Sequence, residues 1–331
     1  MTPMLRPLIL GTNRPPARFY AGGMQIDAFR SLPSGPDHTP EDWVASTTAV
    51  RGQFPAGLSM LPEGRLLRDA IADDPESWLS AAHVARWGDD AMILVKLLDA
   101  GQRLPVHAHP DDAFAAAELA SAHGKAEAWF ILEPGVVHLG LREDVDRAEL
   151  AQLVERQDTT ALLGLLNEVA VAKNDALVVP PGTLHAIGRS VLLAEVQQPT
   201  DLSILLEWDG FDIDGAAEGH LGIGFDRALE AVDTHALEPA RLAGLVARGA
   251  VKGPVLPAIA DAWFRLDRVT RFAAFDAGYA VIIATDGSSM LRSSVGQLAL
   301  SKGETAVVPA SSGPLAVETD GSVLVARPPA P

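Results

Sequence analysis

The sequence predicts a mainly β chain of two antiparallel units in tandem, with helices inserted on the outside of the first. Three observations predict it. Apolar runs of strand length, bounded by Gly, Pro and Asp-Gly turn signals, recur in two blocks. Helical spacing interrupts only the first block. Finally, Lys173-Asn174-Asp175-Ala176-Leu177-Val178-Val179-Pro180 is echoed by Lys302-Gly303-Glu304-Thr305-Ala306-Val307-Val308-Pro309. The echo reads either as two related units or as a chance match of a turn followed by a strand. At 331 residues the chain exceeds the roughly 100–200 of one domain, which suits a division into 1–250 and 251–331.

Taken in order, the first sixty residues are rich in Pro and Gly and read as strands and loops. From Arg65 to about Arg86, Leu66, Leu67, Ala70, Ile71, Trp78, Leu79 and Val84 recur at helical spacing, broken near Asp73-Asp74-Pro75, so two short helices are expected within an insertion at about 61–87. Met92 to Leu98 is a continuous apolar run holding one charge, Lys96, and Leu104 to His109 alternates; both read as buried strands. Asp111-Asp112 opens a helix, because acids in a first turn meet the helix's N-terminal partial charge. A strand follows from Ala126 to Leu132, then an insertion from Asp144 to Asn167 that reads as helix. Strands resume at Val169–Ala172, Ala176–Val179, Ala186–Ile187 and Val191–Val196. The first unit is thus expected from roughly 1–60 and 88–215. Helical pieces such as Asp226–Val232 lead to Pro254 and Pro257, and Phe264 to Pro331 is a succession of short β runs.

With 43 acidic against 26 basic residues, a net charge of -17 argues against nucleic acid and anionic membrane as partners. No run approaches the roughly 18 apolar residues that span a bilayer, and Leu8-Ile9-Leu10 is too brief for the core of a signal peptide, so a soluble, cytoplasmic protein is expected. The absence of cysteine removes thiolate chemistry, and any metal must be held by nitrogen and oxygen.

Such donors are present. His107 and His109 stand one residue apart, so on a strand both imidazoles leave the same face, where they can grip one ion. His185 follows the turn signal Pro180-Pro181-Gly182, and Glu127 supplies a carboxylate. Three imidazoles and one carboxylate suit a divalent ion, zinc, manganese, iron or nickel, and the donors alone do not choose between them; zinc is the ion expected. The bland alternative is a pair of strand histidines satisfied by Asp111 and Asp112. His38, His83, His123, His138, His220 and His235 read as ordinary surface or hydrogen-bonded residues.

His-x-His followed by Glu127 and by Pro-x-Gly-x-x-His resembles the two-part signature of cupin barrels. More closely, the succession Val95-Lys96-Leu97-Leu98, Leu104-Pro105-Val106-His107-Ala108-His109-Pro110-Asp111-Asp112, Gly124-Lys125-Ala126-Glu127, Val179-Pro180-Pro181-Gly182-Thr183-Leu184-His185 and Glu195-Val196-Gln197-Gln198 is similar to the short bacterial form of the type I mannose-6-phosphate isomerases. Specific over about 92–200, the resemblance implies a cupin jelly roll carrying the metal, followed by a degenerate cupin-like barrel without one. It places the ligands on His107, His109, Glu127 and His185, and active-site roles on Lys96, Lys125 and Glu195. Lys96 has an independent signal, since a charge inside an apolar run needs a partner or a function; its plain alternative is a strand-end residue reaching solvent. Two departures stand out. His107 replaces the family's usual glutamine, and Leu205 stands where the family has an active-site arginine, for which Arg103, Arg142 or Arg189 are the candidate substitutes.

The function expected is isomerisation of an aldose to a ketose, on a hexose or hexose 6-phosphate, by proton transfer between C1 and C2. Glu195, or Lys96 with a pKa lowered by burial, would carry the proton. The alternatives are a sugar-binding or regulatory cupin that has lost turnover, and a cupin metal oxidoreductase. A small sugar or sugar phosphate is the expected partner, and the sequence leaves the oligomeric state open.

Overall fold

In the computed structural model residues 4–16 and 18–331 are described, so the first three positions of the N-terminal segment lie outside them. Four antiparallel sheets form two facing pairs. One sheet of the first pair runs Val246–Ala247, Ala176–Val179, Glu127–Glu133, Leu192–Gln197, Leu94–Asp99, Glu41–Val44. Its partner runs Ile204–Leu205, His107–Ala108, His185–Ile187, Gly135–Leu141, Leu166–Val171. The second pair runs Leu8–Leu10, Thr305–Val308, Ala280–Asp286, Ser322–Arg327, Arg265–Val269, Gly253–Pro254 and, facing it, Phe272–Phe275, Leu315–Thr319, Ser288–Ser293, Gly296–Ser301. Apart from Ile204–Leu205, which has no counterpart in the four-stranded sheet, the two pairs have the same strand order, the double-sheet jelly roll. The echoed segments occupy equivalent strands, Ala176–Val179 and Thr305–Val308, so the echo is structural rather than chance.

The first strand differs from the expectation. Leu8–Leu10 pairs with Thr305–Val308, from Leu8 opposite Val307 to Leu10 opposite Thr305, and therefore completes a sheet of the C-terminal half. One apolar core joins the two halves: Trp129, Phe130 and Leu177 from the first share it with Phe264, Tyr279 and Leu324 from the second. A separate core fills the C-terminal barrel with Ile282, Leu291, Val317 and Val325.

The helical insertions follow their local signals, with more breaks than expected. Residues 65–86 give three helices, Leu67–Asp73, Pro75–Leu79 and Ala81–Trp87. Asp74 caps the second, with proline at its start, and Ser80, at φ 89°, ends it and caps the third. Asp144–Asn167 is not one helix. Gln157 adopts φ 50° after Arg147–Arg156, Asp158 caps Thr159–Gly164, and Leu166 and Asn167 already belong to a strand. As expected, the Asp111 carboxylate accepts the Phe114 N–H and opens Asp112–Leu119. No helix of the described residues is long and apolar enough to cross a membrane.

Candidate metal centre

His107 and His185 lie directly opposite each other on neighbouring strands, and the same row continues to Leu139 on one side and Leu205 on the other. All four side chains therefore leave the same face of the sheet, toward the barrel interior. His109 sits just past the end of its strand. The turn before His185 is tied to it, because the Gly182 N–H donates to the His109 carbonyl at 2.7 Å, with Gly182 at φ 81° where other residues are strained. Gly124 allows the Glu127 segment equally close. A Cβ there would lie 2.4 Å from the Pro110 oxygen, and the next N–H, of Lys125, donates to that oxygen at 2.9 Å.

The ligand atoms of His107, His109 and His185 all lie within 4.8 Å of one another, with every ring buried. Their tautomer follows from their partners. Nδ1 of His107 meets the Pro105 carbonyl at 2.8 Å, that of His109 the Leu202 carbonyl at 2.7 Å, and that of His185 the Thr183 carbonyl at 2.8 Å. A carbonyl only accepts, so each Nδ1 carries the proton and each Nε2 keeps a lone pair. This is the arrangement in which imidazole binds a metal, with the second nitrogen orienting the ring. Burial first, then the neighbouring imidazoles, hold His107 well below its ordinary pKa, and burial with the Lys125 charge lowers His109 to about 3. Three neutral rings with converging lone pairs fit a divalent cation.

Glu127 closes the group from the opposite sheet. Its Oε1 accepts the Trp129 indole N–H at 3.1 Å and lies 3.2 Å from His185 Nε2, while Oε2 lies 3.1 Å from His109 Nε2 and 3.2 Å from Lys125 Nζ. These contacts are short enough for ion pairs but poorly aligned: Glu127 Oε2 and His185 Nε2 remain buried with no hydrogen bond. Such orphaned atoms are costly unless something else satisfies them, and a cation between them would. Lys125 Nζ meanwhile donates to His109 Nε2 at 3.1 Å, placing one positive charge at the centre already. Burial acts to raise the Glu127 pKa, yet the Lys125 ammonium, with the hydrogen-bonding contacts of the histidines, outweighs it and the carboxyl is held well below its usual range. Asp111 and Asp112 are occupied elsewhere, as helix cap and as acceptor for Gly124 N–H and Gln198, so the histidines are not satisfied by them.

Beside the centre lies a buried network. Lys96 is only 3% exposed, so it is no strand-end residue reaching solvent. Its ammonium sits 3.3 Å from Glu195 and 3.4 Å from Glu41, and 4.7 Å above the Trp43 ring. Glu41 is the hub, accepting from Tyr20 at 2.6 Å, Trp43 Nε1 at 2.6 Å and Arg18 at 3.0 Å. Burial works to lower the Lys96 pKa, but Glu195 and Glu41 outweigh it and raise it, which corrects the expectation of a lysine depressed by burial. Glu195 moves up, through burial first, with Lys96 opposing. The pair is thus an ammonium beside a carboxyl that burial inclines to keep its proton above the ordinary carboxylate range.

Centre and network open into one cavity of about 390 Å³, within the roughly 300–1,000 Å³ of small-molecule sites. Leu205, Leu104, Ile187 and Leu221 give it an apolar wall, and Lys96, Lys125, Glu127, Glu195 and His107 all reach it. The three arginines considered as substitutes do not. Arg103 is held by Glu207 and, with Arg142, lines a separate depression, while Arg189 is exposed. The arginines that do line the cavity, Arg18 and Arg51, were missed, as were Glu41 as hub, Tyr20 and Asp201. The one signal among them is a faint likeness of Glu41-Asp42-Trp43 to the isomerase family that residues 92–200 resemble.

No family model matches this chain. In fold it is similar to a putative mannosephosphate isomerase from Archaeoglobus fulgidus, on which it superposes with TM-score 0.76 at 20% identity, covering 100% of both chains. In sequence the relatives are mannose-6-phosphate isomerases. The chain is 35% identical over 132 residues to mannose-6-phosphate isomerase ManA of Bacillus subtilis, covering 39% of this chain and 41% of that protein. It is 31% identical over 190 residues to the probable mannose-6-phosphate isomerase GmuF of the same organism, covering 56% of each. The matched segments thus span about half the length of these relatives.

Proposed function

We propose that the chain is a metal-dependent aldose-ketose isomerase acting on a hexose 6-phosphate of the mannose/fructose type. The observation that carries this is the juxtaposition, in one cavity, of three imidazole lone pairs facing Glu127 and a proton-holding carboxyl, Glu195, beside the Lys96 ammonium. His107, His109, His185 and Glu127 are the residues that would hold a divalent ion, zinc in our reading. Bound there, it supplies positive charge next to the substrate oxygens on C1 and C2.

The proton step belongs to Glu195. As a carboxylate it takes the proton from C2 of the aldose, and as the acid it returns that proton to C1, while the hydroxyl proton of O2 passes to O1, leaving the ketose. Its raised pKa matches this exchange of roles. Lys96, fixed by Glu41, stabilises the charged form of Glu195 and limits its wandering, while Lys125 directs a donor toward the developing oxygen charge. The apolar wall excludes water that would otherwise exchange with the carried proton. We place the reaction in the cytoplasm, where charged sugar phosphates are retained.

One observation favours a second reading, a sugar-binding protein without turnover: Leu205, next to His107 in register, puts an apolar side chain where the resemblance expects an arginine. Hydrogen exchange at C2 of mannose 6-phosphate in deuterated water separates the two, alongside fructose 6-phosphate formation. Glu195→Gln should keep its metal and lose turnover by about 10²–10⁴-fold, the usual share of a general base. Absence of exchange by the metal-loaded wild type would reject the isomerase. Oxygen uptake with sugar present would instead make it an oxidoreductase.

A further inference from the structure

The cavity contains four cationic side chains, and three are already neutralised. Arg18 is held by Glu41 at 3.0 Å and Asp201 at 3.5 Å, Lys96 by Glu195 and Glu41, and Lys125 by Glu127 at 3.2 Å. Arg51 is different. Its guanidinium donates through Nη2 to the Leu221 carbonyl at 2.9 Å and, among the described residues, has no carboxylate within ion-pair distance. Its backbone N–H donates to Asp201 at 3.2 Å, so two distant segments fix the position of the residue while leaving its charge unspent. The bond to a neutral carbonyl orients the planar fork and leaves its remaining N–H groups free for a ligand. Leu205, on the metal side of the cavity, offers no competing cation.

We propose that Arg51 is the group that reads the anionic end of the substrate, a phosphate monoester, by charge-assisted hydrogen bonds from its guanidinium fork. The position suits a sugar lying across the cavity, with C1 and C2 at the histidines and Glu195 and the phosphate at the exposed rim where Arg51 stands. A phosphate at the rim keeps much of its hydration, and a planar guanidinium matches two of its oxygens at once. Glu218, exposed on the same rim, opposes it. Selectivity for a phosphorylated over a free sugar is then set by the balance of one arginine against one carboxylate. This rests on the isomerase reading only for the identity of the ligand.

The test is calorimetric binding of fructose 6-phosphate and of free fructose to the metal-loaded full chain, for the wild type, Arg51→Ala, Arg51→Lys and Glu218→Gln. The wild type should prefer the phosphorylated sugar. Arg51→Ala should weaken fructose 6-phosphate by about 10- to 100-fold, the worth of a charged hydrogen-bond pair, and leave fructose unchanged. Arg51→Lys should fall between, having charge without the fork, and Glu218→Gln should tighten the phosphorylated sugar alone. Equal weakening of both sugars by Arg51→Ala would mean a loop-structural role and overturn the proposal, as would no weakening at all, or a wild type indifferent to phosphate. A retained, Arg51-dependent phosphate preference with no C2 exchange would sink the isomerase reading and leave this one standing.

Discussion

The two jelly rolls of this chain share a strand order and differ in what fills them. Val179 and Val308 end the echoed strands, and counting along the ladders from them gives the equivalences: Ala280 stands for Glu127, Ile282 for Trp129, Val325 for Glu195 and Asp267 for Lys96. In the first barrel these positions carry a buried ionic network. In the second they are apolar, except for Asp267, which pairs with Arg327 at 2.8 Å near the surface. The connection in the first barrel between Gly135–Leu141 and Leu166–Val171 carries two helices; its counterpart between Ser288–Ser293 and Gly296–Ser301 is closed by two residues. The topology therefore does not dictate chemistry. It supplies interior positions that are either packed for stability or given to polar groups whose desolvation the rest of the fold offsets.

The sharpest way to break this contrast is at the histidines. His109→Ala should abolish stoichiometric metal, measured by elemental analysis, and lower turnover by more than about 10³-fold, because two ligands and an oriented lysine lose their anchor together. The fold should persist, since its apolar clusters are built from other side chains. Metal-free protein with undiminished turnover would remove the metal from the mechanism altogether.

Next in size is a transplant. Val325→Glu puts a carboxylate at the counterpart of Glu195, facing Asp267 where the first barrel has Lys96. An uncompensated buried charge should cost about 3–5 kcal/mol, read from denaturant unfolding, with the turnover of the folded fraction unchanged. A neutral effect would mean that the second barrel tolerates charge as the first does, and the division between packing and chemistry would fall.

The histidine centre was legible in the sequence because its signals are local. His-x-His puts two rings on one side of a strand, and Pro-x-Gly-x-x-His marks a turn whose geometry aims the third. Lys96 stood out for a physical reason as well, a lone charge in an apolar run. Arg18, Arg51, Glu41 and Asp201 carried no such spacing. They meet only because strands and loops far apart in the chain converge, and no local pattern reveals that Arg51 lies against residues 201 and 221. Strand pairing was hidden likewise: Leu8–Leu10 reads as a strand, but nothing in three residues names Thr305–Val308 as its partner. The strand Gly135–Leu141, bounded by glycine within and broken in register between His138 and Leu141, escaped notice, as did Arg265–Val269, whose Arg-Leu-Asp-Arg-Val alternates charge with only two apolar residues. The insertion at 144–167 misled because Leu162, Leu163 and Leu166 continue a helical spacing through a left-handed break at Gln157.

The smallest effect is a pH dependence confined to the first barrel. In the metal-free protein His109 is neutral down to about pH 3, whereas an unfolded histidine titrates near 6.5. Between those values the unfolded chain takes up a proton that the folded chain refuses, so its contribution to stability is full above pH 6.5 and is lost as pH falls, at up to about 1.4 kcal/mol per unit. His107, depressed in the same direction, adds to the slope. Glu195 works the other way, because its raised pKa lets the folded state hold a proton that the unfolded state has released, and that contribution fades as pH rises. Its window opens at the ordinary carboxylate value and extends upward, so it opposes the histidines there as one group against two, and the histidines set the sign of the net change from pH 6.5 down to about 5. Thermal unfolding of the metal-free wild type should therefore lose stability on acidification from pH 7 to 5, and His109→Gln should flatten that loss by removing one of the two contributing rings. A profile already flat in the wild type would mean that the imidazoles are protonated in the folded barrel, which their proton-bearing Nδ1 atoms and converging Nε2 lone pairs do not permit.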